Sequence, residues 1–297
     1  MVIIIKQYGQ LGNRLFPFAQ FIAHAKKHNY KLLNPAFEDY SEHFQNTEKS
    51  LFSSYPKGIQ SRFFTKRVRR IVFRFIEKGV NFAIRKKLLK SWFHEIIIGE
   101  PSKHFHSDEK LIKKFKRKFV FVCNPFYFRD EVTMHADIEY VTQFLRIKDE
   151  HKKKVDDLIK IAKSECDILV GMHIRGGDFR EWLDGMYFYD IHNFQEAMKQ
   201  ATKVFEGKKV AFLICSNETW EESLFEGHKV FFGPGQIVED IYSLSQTDYL
   251  VAGYSSYAWW ASITGNVPIY SFLHHKIFEK EMELEHFIDI KTLGSIP

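Results

Sequence analysis

Two short runs combine residue types suited to holding phosphate. The first is HIRGGDF, His173 to Phe179. Arg175 is a permanently charged planar fork that can grip a diphosphate through two hydrogen bonds at once, and the backbone at Gly176 and Gly177 can approach an anion closely. His173 and Asp178 add a neutral and an acidic polar group beside it. The competing reading is that Arg175 and Asp178 merely pair with each other at a sheet edge, the more common outcome for an isolated Arg-x-x-Asp. The second run is VEDIYSLSQTDYLVAGYSSYAWWAS, residues 238–262. Ser255 and Ser256 fall where a helix starts after a strand, so their hydroxyls and the unbonded N–H groups there could hold phosphate oxygens. Asp240, at the start of the preceding helix, could accept from the N1–H and N2–H edge of a guanine, or simply sit at the positive end of the helix dipole. At least one of Trp259 and Trp260 reads as core.

These runs need elements to position them. DILVGMHIR, KKVAFLICS, HKVFF, DYLVAG and VPIYSF read as strands, alternating with helices at NFQEAMKQATKVFEG, TWEESLFEG, VEDIYSLSQ and SSYAWWASITG. Continuous apolar strands alternating with helices predict a parallel sheet covered on both faces, with ligands beyond the carboxyl ends of its strands. The opening, VIIIKQYGQLGNRLFPFAQFIAHAKKHNYKLL, reads as strand, glycine turn, helix and strand, with Asn13 as helix N-cap. Residues 35–118 parse as loop, basic helices and polar connection. FVFVC at 119–123 is expected to close the first domain, and IKDEHKKKVDDLIKIAK to enter the second. The expected fold class is α/β, with domains 1–148 and 149–297.

Composition narrows the class. The chain has 297 residues, 45% hydrophobic and 27% charged, which excludes a wholly disordered, collagen-like or coiled-coil protein. Its 30 Phe can build sizeable cores. Cys123, Cys166 and Cys215 are odd in number and widely spaced, which predicts neither a disulfide framework nor a zinc knuckle and fits a reducing cytoplasm. The N-terminus reads as a strand rather than a signal peptide, and Tyr249 to Leu273, though long and uncharged, carries too many polar and breaking residues for a membrane span. Charge is uneven: Ser61 to Trp92 holds 11 Lys or Arg against Glu77 alone, a local +10 within an overall +6. There Phe64, Val68, Ile71, Val72, Phe75 and Ile76 recur at helical steps. This basic amphipathic segment, about 61–92, suits an anionic membrane or acidic polymer, or is an ordinary solvated face.

Four segments in order, YGQLGNRLFPFA, HIRGGDF, SNETW and EDIYSLSQTDYLVAGYSSYAWWAS, give the chain a resemblance to the alpha-1,2-fucosyltransferase family within the fucosyltransferase superfamily. The segment CNPFYFRDEVTMHADIEYVTQFLRIKDE occupies the place of that family's inter-domain segment. The resemblance implies a GT-B architecture, two Rossmann-like domains facing across a cleft, the first on the acceptor side and the second binding GDP-fucose. It implies that Arg175 holds the diphosphate between His173 and Asp178 of the H-x-R-x-x-D motif, with Arg175 and Asp178 carrying the catalysis. Gly176, Ser216, Asp240, Ser255 and Ser256 join them in the implied donor site, while Gly12, Asn13 and Arg14 form a cleft-facing loop. Two departures bear on the donor sugar: many members have Arg-Arg where this chain has Arg175–Gly176, and Ser-Asp-Asp where it has Ser216–Asn217–Glu218.

The expected reaction is inverting transfer from a GDP-sugar to a hydroxyl of a glycan, lipid-linked glycans included. No two Asp residues stand in a D-x-D spacing, so no metal or other cofactor is expected, and Arg175 with helix-end N–H groups would take the leaving diphosphate's charge. Asp178, Glu181 and Asp184 are the acids near enough in sequence to serve as base. The P-loop, nucleophile-elbow and dinucleotide-binding glycine motifs are absent. His104 with His106, and His274 with His275, read as surface residues rather than ligands. Another GDP-linked sugar, and a non-catalytic membrane- or polyanion-binding protein, are the alternative readings. Nucleic acid is not an expected partner, because the positive charge is confined to one segment. The expected location is cytoplasmic, peripheral on the inner membrane face through residues 61–92.

Overall fold

The computed structural model describes residues 1–58, 65–100, 105–272 and 281–289. Phe64 of the expected basic stripe, His104 and the His274–His275 pair lie outside them. The chain forms two compact units, Met1–Lys148 and Asp149–Pro297.

The first unit contains β1 (Val2–Ile4), α1 (Leu11–His28), β2 (Leu32–Leu33), α2 (Lys66–Arg85), β3 (His94–Ile98), β4 (Phe105–His106), α3 (Glu109–Arg117), β5 (Phe119–Cys123), β6 (Phe128–Arg129), α4 (Glu131–Ala136) and α5 (Ile138–Phe144). Its main sheet is parallel in the order β2-β1-β5-β3. The strand 119–123 is the last of this sheet in chain order and lies inside it, since β3 pairs on its far side. HEIII at 94–98, unread in the sequence, is that neighbour; its three successive isoleucines carry the β-branched signal. Phenylalanines fill the interior, with Phe21 stacked on Phe128 at 4.3 Å and Phe18 against Phe37 at 5.0 Å.

Two local expectations change. Helix α1 begins at Leu11, so Gln10, in extended conformation, occupies the cap and Asn13 falls within the first turn. Leu11 is fully buried on the same face as Leu15 and Phe18, and that burial draws the helix back three residues. The basic segment forms one helix, α2, rather than several. Its inner residues Phe73, Ile76, Val80 and Ile84 pack with Ile5, Ile96 and Cys123, so it covers the sheet and is no mere appendage.

The second unit contains α6 (Asp149–Ser164), β7 (Ile168–Ile174), α7 (Ile191–Val204), β8 (Val210–Ser216), β9 (Lys229–Phe232), α8 (Ile237–Leu244), β10 (Tyr249–Ala252), α9 (Ser256–Gly265) and β11 (Ile269–Ser271). TWEESLFEG supplies only a 3-10 turn, Glu222–Phe225. The parallel sheet runs β11-β10-β7-β8-β9. From β7 the chain winds outward through β8 and β9, then returns to the other side of β7 with β10 and β11. The order reverses between β7 and β10, and a doubly wound sheet opens its ligand crevice at such a point.

Candidate functional site

Register builds the site. His173 at the carboxyl end of β7 lies opposite Ala252 on β10 and Cys215 on β8. The loops leaving these strands carry Arg175–Gly176–Gly177, Ser216–Asn217–Glu218 and Gly253–Tyr254–Ser255. His173, Arg175, Tyr187, Tyr189, Tyr254 and Ser255 line a narrow concavity at the switch point.

His173 is 6% exposed, and its ring stacks on Tyr257 at 4.9 Å. Burial, aided by the Arg175 charge, pushes its pKa down to about 3, so the ring is neutral at physiological pH. Among the described residues its buried Nδ1 has no hydrogen-bond partner. A buried polar atom in that state is costly unless a ligand or water completes it. Arg175 points its Nη2 at both carboxylate oxygens of Asp178, at 2.7 and 2.9 Å, and rests over the Phe179 ring at 5.0 Å. The pairing weighed against a functional role is thus the geometry observed. Asp178 is exposed, and an exposed partner yields to a diphosphate at little cost because solvent already screens the pair.

The glycine turn is clamped from the neighbouring loop. Gly176 N–H donates to Asn217 Oδ1 at 2.9 Å and Gly177 N–H to Glu218 Oε1 at 2.8 Å, while Arg180 donates to both Glu218 oxygens. Arg180's hydrogen bonds, then Gly177's, hold the Glu218 carboxyl below its usual pKa. A Cβ on Gly176 would stand 2.3 Å from the Glu218 carboxyl carbon, and Gly177 has φ +55°. The two departures from the fucosyltransferase pattern are therefore one device: Glu218 occupies the space a side chain at position 176 would need. Ser216 serves this loop, accepting at Oγ from Glu218 N–H and Trp220 Nε1, both at 3.0 Å.

Ser255 caps α9, its Oγ accepting from Ala258 N–H at 3.4 Å, and Ser256 is the first helical residue. Asp240 lies in the first turn of α8, 6% exposed, accepting from Gly235 N–H at 2.9 Å. Burial raises its pKa to about 6, opposed by the Gly235 bond. Tyr257, unremarked in the sequence, links the two regions: its ring faces His173 and its hydroxyl donates to the Ile237 carbonyl at the head of α8. The sequence reading also missed Glu218 and Arg180 as clamp residues; the only signal was the departure at 216–218 itself. Asp178, Glu181 and Asp184 all sit on exposed turns, with Asp184 in left-handed conformation.

In the first unit Gly12, Asn13 and Arg14 occupy the opening turn of α1. Arg14 is tied down, donating to Gly9 O at 3.1 Å and Asp39 Oδ2 at 2.9 Å, with its guanidinium 5.0 Å from the Tyr40 ring centre. Asn13 and Arg14 line a small pocket with Lys6, Gln7 and Tyr8.

No protein-family model and no curated protein matches the sequence. Solved structures do. A point mutant of Arabidopsis thaliana FUT1 in complex with GDP superimposes with a TM-score of 0.61 at 11% identity, over 91% of this chain and 70% of that one. The chain has the GT-B fold. NodZ alpha-1,6-fucosyltransferase from Bradyrhizobium, co-crystallised with GDP, gives 0.54 at 14% identity over 90% and 93%. POFUT1 with GDP gives 0.53 at 11% over 91% and 97%. At such identities the shared property is backbone architecture, and the chemistry of this GT-B chain rests on its own side chains. No helix among its described residues is long and apolar enough to cross a membrane.

Proposed function

We propose that this protein is a metal-independent, inverting glycosyltransferase that moves fucose from GDP-fucose to a hydroxyl of a glycan, lipid-linked glycans included. The carrying observation is the switch point between β7 and β10, where Arg175, the orphaned Nδ1 of buried His173 and the start of α9 converge within a fold shared with GDP-bound FUT1 and NodZ. On this reading Arg175 exchanges Asp178 for the diphosphate. The N–H groups and hydroxyls at Ser255 and Ser256 then meet the remaining phosphate charge. Asp240 accepts from the guanine edge. As the sugar–phosphate bond breaks, negative charge grows on the leaving GDP, and a fixed guanidinium stabilises it without a cation. The acceptor hydroxyl attacks from the opposite face. The first unit's Asn13 and Arg14 serve the acceptor side, and the sequence motifs favour an α-1,2 linkage. Three free thiols, two of them buried, suit a reducing cytoplasm.

Glu218 over Gly176 favours a second reading, a different GDP-linked sugar, because it alters the groups beside the diphosphate. Calorimetric titration with GDP and a panel of GDP-sugars, with and without EDTA, separates the two. GDP binding indifferent to EDTA is expected, and Arg175→Ala should lower transfer by about 2–4 kcal/mol of transition-state stabilisation, roughly a hundred- to a thousandfold. Binding that needs a divalent cation, or that Arg175→Ala leaves intact, refutes the assignment; no GDP binding at all favours a non-catalytic protein.

A further inference from the structure

Helix α2 is apolar on two sides. Its inner face lies on the sheet, fixed in rotation by Arg69, which is buried and bonds through Nε to Glu38 Oε1 at 2.8 Å and through Nη1 to Glu48 O at 3.0 Å. The outer face carries Val68, Ile71, Phe75 and Phe82, spaced three, four and seven residues apart, so they fall within about 60° of the helix circumference. They are left in solvent, Phe75 at 70% and Phe82 at 58%. Along one edge of that stripe run Arg67, Arg74, Lys78 and Arg85, none ion-paired among the described residues. The chemistry continues beyond the helix: Lys86, Lys87 and Lys90 alternate with exposed Leu88 and Leu89, and the turn into β3 presents Trp92, 87% exposed, beside Phe93. From Lys66 to Phe93 the sole acid is Glu77.

We propose that this face docks on an anionic lipid bilayer, with α2 lying parallel to the membrane, its outer apolar stripe at the level of the acyl boundary and Trp92 in the headgroup zone. A solvated helix has no use for bare phenylalanines in a row, and a protein partner met through apolar contact would not need a band of unpaired cations and a near absence of acids. Anionic lipid satisfies both, since apolar burial and headgroup attraction add. Trp and Phe at the end of such a helix match residues that partition to the interface. The proposal stands apart from the donor chemistry and is tested without nucleotide.

The full chain is sedimented with vesicles of phosphatidylcholine alone and with about 30% phosphatidylglycerol, where apolar and electrostatic terms should separate. Expected are capture at least about tenfold stronger on the anionic vesicles, weakening with salt as exposed charge–lipid attraction must, and a blue shift of emission that Trp92→Phe abolishes. Phe75→Ser/Phe82→Ser and Arg74→Glu/Lys78→Glu should each lose most of the capture while keeping wild-type circular dichroism and melting temperature. Equal capture on neutral vesicles, capture that survives both pairs, or no capture with self-association or heparin binding through these residues overturns the proposal. Should a variant fail to fold, quenching of Trp92 by brominated lipid in the wild-type protein decides alone, and absence of quenching refutes it.

Discussion

At the scale of single residues, the site holds two groups whose burial works in opposite directions. His173 is a base forced neutral, so between about pH 3 and 6.5 the unfolded chain binds more protons than the fold at this position, and its contribution to stability rises with pH. Asp240 is an acid whose pKa is raised from 3.8 to about 6, so in that window the fold binds more protons and stability falls as pH rises. Asp240→Asn removes a buried charge while keeping an acceptor for Gly235 N–H. It should match the wild type below about pH 4 and exceed it by about 2–3 kcal/mol above pH 6, as read from urea denaturation at both ends. If Asp240 meets guanine as a carboxylate, GDP affinity of the wild type should drop as pH falls through about 6. The variant should bind GDP weakly and without that dependence. A variant less stable than wild type at pH 7.5 would contradict the buried-charge argument.

At the scale of elements, the β7 turn and helix α2 are each held by a contact remote in sequence. Gly176→Ala drives a methyl into the Glu218 carboxyl, which is pinned by Gly177 N–H and Arg180, so the clamp must open. The expected loss is about 1–3 kcal/mol. Glu218→Ala makes room, so the double variant should cost less than the two singles summed, with a coupling of about 0.5–3 kcal/mol; additivity in denaturation midpoints would mean the two positions do not meet. On α2, Arg69→Met strands Glu38 in the interior, where burial already raises its pKa. A drop of about 3–5 kcal/mol is expected, largely recovered in Arg69→Met/Glu38→Leu. Failure of that rescue would show that Arg69's bonds to the Glu48 and Ser50 carbonyls, rather than its charge, anchor the helix.

At the scale of the molecule, ligand binding should register in one unit only. Hydrogen exchange with saturating GDP is expected to slow at 173–180, 235–240 and 253–258, the loops beyond the carboxyl ends of the second sheet, and to leave α2 unchanged. Protection at α2 instead would move the nucleotide site to the first unit. The order of the second sheet's elements was legible because each strand is a continuous apolar run and each helix carries its own period, as in ILVGMHI over β7 and IVEDIYSL over α8. The first unit was legible at its start, along the α2 stripe and at FVFVC over β5, and little between them. Its sheet is assembled from short strands separated by long connections, and β3 had little periodicity of its own to announce it.

The chain's local chemistry determined which groups follow the strands and ride on the helices: Arg175 after β7, the serines where α9 begins, the basic run on α2. Those are matters of residue type and spacing a few positions long. Tertiary structure alone decided that His173, Cys215 and Ala252 share a row and that Glu218 roofs Gly176. It also decided which of α2's two apolar faces is covered. Strand register and loop-to-loop contact join residues some 41 positions apart, as Gly177 to Glu218, and such pairings are chosen by the packing of the whole sheet, which no local period encodes.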